Sequence, residues 1–516
     1  MREQLLSRVP HGLSLLATLL IAAGCAVGPV YERPNAATPA TFKEAVTTTA
    51  VDAGSWKAAQ PSEEVARGRW WTVFGDPRLD DLEQQALDAN QNLKAAAARL
   101  KQARALAQAA HADLLPSLDA GLGATRQRQS PVSQRLPDNA AVPAQTFYRA
   151  QVGASYEVDL FGRVSASVDA ARADSERSEA LFRSVQLALQ ADVAQHWFEL
   201  RELDAEAEVL REGVTLREQA LKLARSRHEA GDIGQEDVAR AETELANVRT
   251  DALGVARQRA VVEHALAVLL GKAPAEFTAP AMPLQRVDLR IPAGLPSSLL
   301  ERRPDIAAAE RAMAAANARV GVAKAAFFPS LSLTGGLGYE SGSLGNLFDW
   351  SSRTFLLGPL VGTALNIPLF DGGRRNGSLA DAKARYEEDV ADYREQVLVA
   401  FREVEDGLSD LRMLDEQISA QETGARAAVQ AARLAQVRYA GGDSSYLEVI
   451  DAERTVLQAR RAAVQFEGQR EFATVALIRS LGGGWGSEGP DVSATERGAA
   501  VVRHVMQVGD LAETAW

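Results

Sequence analysis

Leu160-Phe161-Gly162-Arg163 and Leu369-Phe370-Asp371-Gly372-Gly373-Arg374 each close a strand-like run and open a long proline-free stretch. Outward from them the matches continue. Leu115-Pro116-Ser117-Leu118 is answered by Phe328-Pro329-Ser330-Leu331, and Gly231-Asp232 by Gly442-Asp443. Ala241-Glu242 pairs with Ala452-Glu453, and Leu270-Gly271 with Leu481-Gly482. The offset stays near 211 residues across helices, turns and strands, so one unit is written twice and the copies should share a supersecondary plan about a pseudo-twofold relation.

From Val164 to Glu229 there is no proline, and only Gly213 weakens a helix. Val193, Leu200, Ala207, Val214 and Leu221 recur every seven residues, with Leu203 and Leu210 between them, which is a coiled-coil seam. The second copy keeps the heptad through Val390, Val397, Val404, Leu411, Ile418, Ala425, Ala432 and Tyr439. A helix of such length reaches about 100 Å, further than one domain core needs. Alanines such as Ala400, Ala428 and Ala435 let helices approach closely on two sides, as in a closed palisade; heptads alone equally describe a plain rod.

The strands decide between these. Tyr148, Ala150, Val152, Ala154, Tyr156 and Val158 alternate with Arg149, Gln151, Gly153, Ser155, Glu157 and Asp159. In the second copy Leu331, Leu333, Leu337 and Tyr339 alternate with Ser332, Thr334, Gly338 and Glu340, and Val361, Thr363, Leu365 and Ile367 are expected to form the partner. Leu118 to Ala124 is the glycine-rich fourth run. An apolar face backed by a polar one over about 10 residues suits a transmembrane strand. Soluble surface hairpins would also alternate. Four strands cannot close a barrel, and open edges are not tolerated in hydrocarbon, so several copies must associate; three would give twelve strands. Pro116, Pro329, Pro368 and Gly372-Gly373 bound the strand regions, and Gly231-Asp232 and Gly441-Gly442-Asp443 reverse the chain between paired helices.

Bulk properties narrow the class. The 516 residues carry a net charge of -12, which argues against nucleic acid as a partner, and aromatics are only 6%, which favours close helix contacts over a bulky interior. Arg2 and Arg8 precede an apolar run from Leu13 to Ala23, short for a membrane span and suited to a signal peptide. Cys25, the single cysteine, falls where cleavage would leave it first, so disulfides contribute nothing. These residues resemble a lipoprotein signal, although Ala22 stands where leucine is commonest; plain secretion with a coincidental thiol is the alternative.

At this point the chain resembles the outer-membrane factor family, the TolC/OprM-type export ducts, in its lipoprotein branch. The residues carrying the resemblance run from Cys25-Ala26-Val27-Gly28-Pro29-Val30-Tyr31-Glu32-Arg33-Pro34 through Trp70-Trp71, Phe74-Gly75-Asp76-Pro77, Arg302-Arg303-Pro304-Asp305-Ile306 and Ala325-Ala326-Phe327-Phe328-Pro329 to Leu481-Gly482-Gly483-Gly484-Trp485. The resemblance implies a mainly α chain with a transmembrane β-barrel, closing as a homotrimer with twelve strands and an α-helical periplasmic tunnel. It implies acylation of Cys25, outer-membrane delivery given Ala26, a periplasmic adaptor and an inner-membrane pump, most often of the resistance-nodulation-division type. No cofactor is expected.

The resemblance also points to a gate. Asp451 matches the family's constricting aspartate, Leu447 an apolar constriction residue, and Arg454 a basic residue able to tie neighbouring helices. Glu448 and Asp451, three residues apart, leave one helix face, and three chains would make a ring of six carboxylates that attracts cations. Ser445-Tyr446-Leu447-Glu448 also reads as a capping box, an ordinary structural use for Glu448. In the first copy the equivalent positions are Glu236, Asp237 and Arg240, so the second helix pair alone should line the mouth. Gly231, Asp232, Gly442 and Asp443 are adaptor-docking tips by family analogy, although turn chemistry alone explains them.

The organisation expected is a signal at 1–24, an extended segment at 25–77, the first repeat at 78–270, an equatorial linker at 271–300, the second repeat at 301–482 and a tail at 483–516. The competing functions are an envelope hydrolase using paired carboxylates and a passive coiled-coil spacer. His11, His111, His196, His228, His264 and His504 have no metal-like spacing, no nucleophile elbow or phosphate loop occurs, and a spacer has no use for alternating strands.

Overall fold

The structure is a computed structural model that describes residues 27–34, 39, 41–44, 69–282, 284, 302–358 and 365–483. Cys25, the signal segment, Val361, Thr363 and the tail beyond 483 lie outside the described residues. The helices are α1 (Pro77–Ala89), α2 (Gln91–Ala112), α3 (Arg163–Glu229), α4 (Gln235–Leu269), α5 (Pro304–Ala325), α6 (Arg374–Ala440) and α7 (Tyr446–Ser480). The strands are β1 (Ser117–Gln127), β2 (Gln145–Val158), β3 (Ser330–Ser341), β4 (Arg353–Gly358) and β5 (Leu365–Asn366). The repeat is literal in the helices. Both α3 and α6 have 67 residues, and both α4 and α7 have 35.

The chain divides into two compact units, and each draws on both repeats. One takes its described residues from 1–34, 101–178 and 309–393, the other from 35–100, 179–308 and 394–516. The first unit holds an antiparallel sheet in the order β1-β2-β3-β4, so β2 of the first repeat pairs directly with β3 of the second. Register puts Ala120, Val152, Leu337 and Phe355 on one rung. Val152, Leu337 and Phe355 are 45%, 66% and 76% exposed, an apolar face that no other described residue covers. The neighbouring rung is Gly121, Gln151, Gly338 and Thr354 on the opposite face. A Cβ at Gly338 would overlap the Ala150 carbonyl and Gln151, so glycine there lets strands approach. No described helix is long and apolar enough to cross a membrane.

The fourth strand differs from expectation. Pairing to β3 begins at Arg353, ahead of Val361, and resumes at Leu365–Asn366 on the same edge of β3. Arg353-Thr354-Phe355 alternates too briefly, between Ser351-Ser352 and Gly358-Pro359, for sequence periodicity to register it. The three other runs stand where alternation placed them.

Residues 27–33 in the same unit form a strap. Val27 N donates to Phe161 O at 3.4 Å, Asn317 Nδ2 donates to Pro29 O at 3.0 Å, and Arg33 Nε donates to Tyr393 Oη at 3.2 Å. Gly28 lies against Gly321 of α5, where a Cβ built on Gly28 would stand 3.2 Å from the Gly321 Cα. Burial beside Glu310 raises the Tyr31 hydroxyl's pKa.

In the second unit the core gathers Trp70, Trp71, Phe74, Leu79, Leu93 and Leu100 against Trp197, Phe198, Leu200 and Leu210 of α3 and Leu266 of α4. Each such large apolar side chain contributes about 1.5–3 kcal/mol on full burial. Trp70–Phe74 is therefore a buried 3₁₀ turn, although the segment 25–77 read as extended. Its aromatic content was the missed signal. Asp76 caps α1 through Arg78 N at 2.8 Å and accepts from Trp197 Nε1 at 2.7 Å, tying cap to core.

Candidate functional site

The two helix reversals share one backbone design. Gly231 and Gly442 stand at φ of 80° and 81°, which glycine adopts without strain. Asp232 N donates to Arg227 O and Asp443 N to Arg438 O, both at 2.9 Å, closing helix C-termini with the same bond. Gly231, Asp232, Gly442 and Asp443 are all exposed. The side chains then part company. Arg227 pairs with Asp232 at 3.0 Å and donates to Tyr439 Oη at 2.6 Å, linking α3 to α6, whereas Arg438 pairs with Glu448 at 3.3 Å.

At the start of α7, Val449 and Ile450 are buried while Leu447, Glu448 and Asp451 face outward. Leu447 is 44% exposed, and the Glu448 and Asp451 side chains 49% and 62%. The helix thus presents an apolar residue and two carboxylates on a face that the described residues leave largely exposed. Asp451 lies 3.6 Å from Arg454, and Arg454 makes a forked bond to Glu244 of α4, with Nε to oxygen at 2.9 Å. That bond raises the Arg454 pKa. The capping box does not form. Ser445 makes no side-chain cap bond, and the Glu448 carboxylate turns to Arg438.

The first copy differs as its residues suggested. Arg240 pairs with Glu236 one turn earlier on α4, so its charge is spent within the helix. Thr243 stands where the second copy has Arg454.

Further along, α7 is joined to the first repeat by a row of arginines. Arg461 bonds Glu206 at 2.9 Å and Asp251 at 3.0 Å, and Arg460 bonds Glu212 at 3.1 Å. Arg217 lies 3.8 Å from Glu453. Tyr446, desolvated and close to Glu453, has its pKa pushed up to about 12. Glu244 and Arg227 escaped sequence reading because their partners Arg454 and Tyr439 lie 210 and 212 residues away, and Arg438 because its bond to Glu448 crosses the turn. Tyr439 stood on the heptad series but carried no sign of its hydroxyl's use.

The family described as Outer membrane efflux protein matches residues 82–272 and 295–483. The chain is 35% identical over 476 residues to the probable efflux pump outer membrane protein TtgC of Pseudomonas putida, covering 92% of this chain and 95% of TtgC. It is 34% identical to outer membrane protein OprJ of Pseudomonas aeruginosa over 479 residues, 92% of this chain and 96% of OprJ. The solved outer-membrane channel OprN superposes with a TM-score of 0.79 at 31% identity, over 89% of this chain and all of OprN. The fold class is that of these neighbours, long helices and strands in two repeats that close as a trimeric barrel and helical tunnel. The chain belongs to the outer membrane efflux protein family and is an outer-membrane channel of an efflux system.

Proposed function

We propose that the chain serves as the passive exit duct of a tripartite assembly, taking small molecules from an inner-membrane pump of the resistance-nodulation-division type through a periplasmic adaptor, and that it catalyses nothing itself. The observation that supports this reading best is the uncovered Leu447-Glu448-Asp451 face of α7, beside an Arg454 committed to α4. Brought together from three copies, that face makes a narrow acidic mouth, while the exposed turns at Gly231-Asp232 and Gly442-Asp443 offer the adaptor its docking tips. Cations are concentrated at such a ring and anions repelled.

Acylation of Cys25 belongs to the same reading. The strap that begins two residues after Cys25 is pinned at Val27 to Phe161, between the end of β2 and the start of α3. Deleting the gene in its own host tests the duct. Efflux of a fluorescent substrate should slow and sensitivity to some exported compound should rise; unchanged efflux rates would contradict the reading.

A further inference from the structure

We propose that Leu369-Phe370 of one copy packs against Leu115 of the next copy, repeating between chains a contact that each chain already makes within itself. The inner contact follows from strand order. β2 and β3 pair with Val158 opposite Leu331, which sets Phe161, just past β2, beside Phe328, just ahead of β3. Their rings stack with centroids 4.9 Å apart and planes at 27°. Leu160 and Phe161 are accordingly half-buried. This is where the second strand of one repeat meets the first strand of the other.

The outer edges of the sheet present the complementary halves of that step without partners among the described residues. Past the fourth strand stand Leu369 and Phe370, 90% and 91% exposed, matching Leu160 and Phe161 in the repeat. Ahead of β1 stands Leu115, 64% exposed, before Pro116 as Phe328 stands before Pro329. A ring of copies must join the β4–β5 edge of one chain to the β1 edge of the next, because backbone groups at an open edge stay unpaired in hydrocarbon. That join is again a second strand meeting a first strand, so it carries Phe370 to Leu115. Lipid is the rival occupant. In the inner counterpart Leu160 and Phe161 are half-buried by protein, and large side chains exposed to this degree beside an edge that must be joined are what such an interface covers.

One difference between the repeats sharpens the assignment. The loop after Phe370 is longer, Asp371-Gly372-Gly373 against the lone Gly162, and its bend is held by Asp371 accepting from Gly373 N and Arg375 N at 3.1 Å. Phe370 meets a leucine, not a second phenylalanine, and the added length carries the ring further toward it.

The test uses the full chain in outer-membrane vesicles carrying Leu115→Cys and Phe370→Cys, oxidised mildly or treated with a short bis-maleimide and run without reductant. The double variant should give dimer and trimer bands at least fivefold above either single variant, which also controls for Cys25. A double variant that stays uncrosslinked, where native electrophoresis shows trimers, overturns the pairing but leaves the duct intact. Monomers in native electrophoresis overturn the ring and the contact together. As a second measurement, Phe370→Ala should lower the temperature at which trimers dissociate, and Leu115→Phe should hold or raise it. Quenching of a fluorophore on Phe370→Cys by brominated acyl chains would assign the site to lipid and sink the proposal.

Discussion

The turn joining α3 to α4 and the turn joining α6 to α7 share φ angles and closing hydrogen bonds, yet the arginine of one reaches Asp232 and Tyr439 while that of the other reaches Glu448. Duplication copied the backbone because glycine placement and helix length are few decisions, written in few residues. Side chains diverged: Leu447, Glu448, Asp451 and Arg454 stand where the first copy has Glu236, Asp237, Arg240 and Thr243. The stitching between repeats also differs, with Arg217 and Arg227 of the first repeat reaching Glu453 and Tyr439 of the second. Arg454, Arg460 and Arg461 of the second repeat reach Glu244, Glu212, Glu206 and Asp251 of the first, and the positions matching Arg454 and Arg461 in the first copy are Thr243 and Thr250.

The largest effect that would break this comparison comes from the latch between repeats. Glu244 is buried, with its side chain 8% exposed, so Arg454→Ala strands a carboxylate and should cost roughly 1–3 kcal/mol. Calorimetry of the detergent-extracted protein should show a lower melting temperature for Arg454→Ala and recovery of most of it when Glu244→Gln is added, because removing both partners leaves no orphaned charge. Loss without recovery would mean that the pair is incidental.

A smaller effect concerns pH. Glu202 of α3 lies against Gly468 of α7, where a Cβ would overlap its carboxylate. Burial, then Glu206 and Glu199, raise the Glu202 pKa to about 7. An unfolded glutamate titrates near ~4.3. Between those values the folded chain holds a proton that the unfolded chain lacks, so this group's contribution to stability falls as pH rises from about 4 to 7 and stays low above. Glu202→Gln should therefore raise the melting temperature at pH 8 and lose its advantage toward pH 5. An advantage independent of pH would contradict the assignment.

Much of the fold was legible because its signals are periodic and long. Heptads through Val193–Leu221 and Val390–Tyr439, and alternation through Tyr148–Val158, survive without knowledge of partners. Arg353–Gly358 was not legible, being short and flanked by turn residues, and Trp70–Phe74 was misread because burial of a single turn leaves no period. At the start of α7, Leu447, Glu448, Asp451 and Arg454 could be named as candidates from resemblance and spacing. Their partners could not, since a glutamate at 244 gains meaning only when folding brings it to Arg454. The capping box shows the reverse error, a local pattern overridden by the tertiary pair between Glu448 and Arg438.

The division of labour between the repeats is tested most directly by single-channel recording in planar bilayers on two variants side by side, Asp451→Ala and Arg240→Ala. Asp451→Ala should increase conductance severalfold and weaken cation preference, while Arg240→Ala leaves both unchanged. Equal responses from the two variants, or none from Asp451→Ala, would contradict the account.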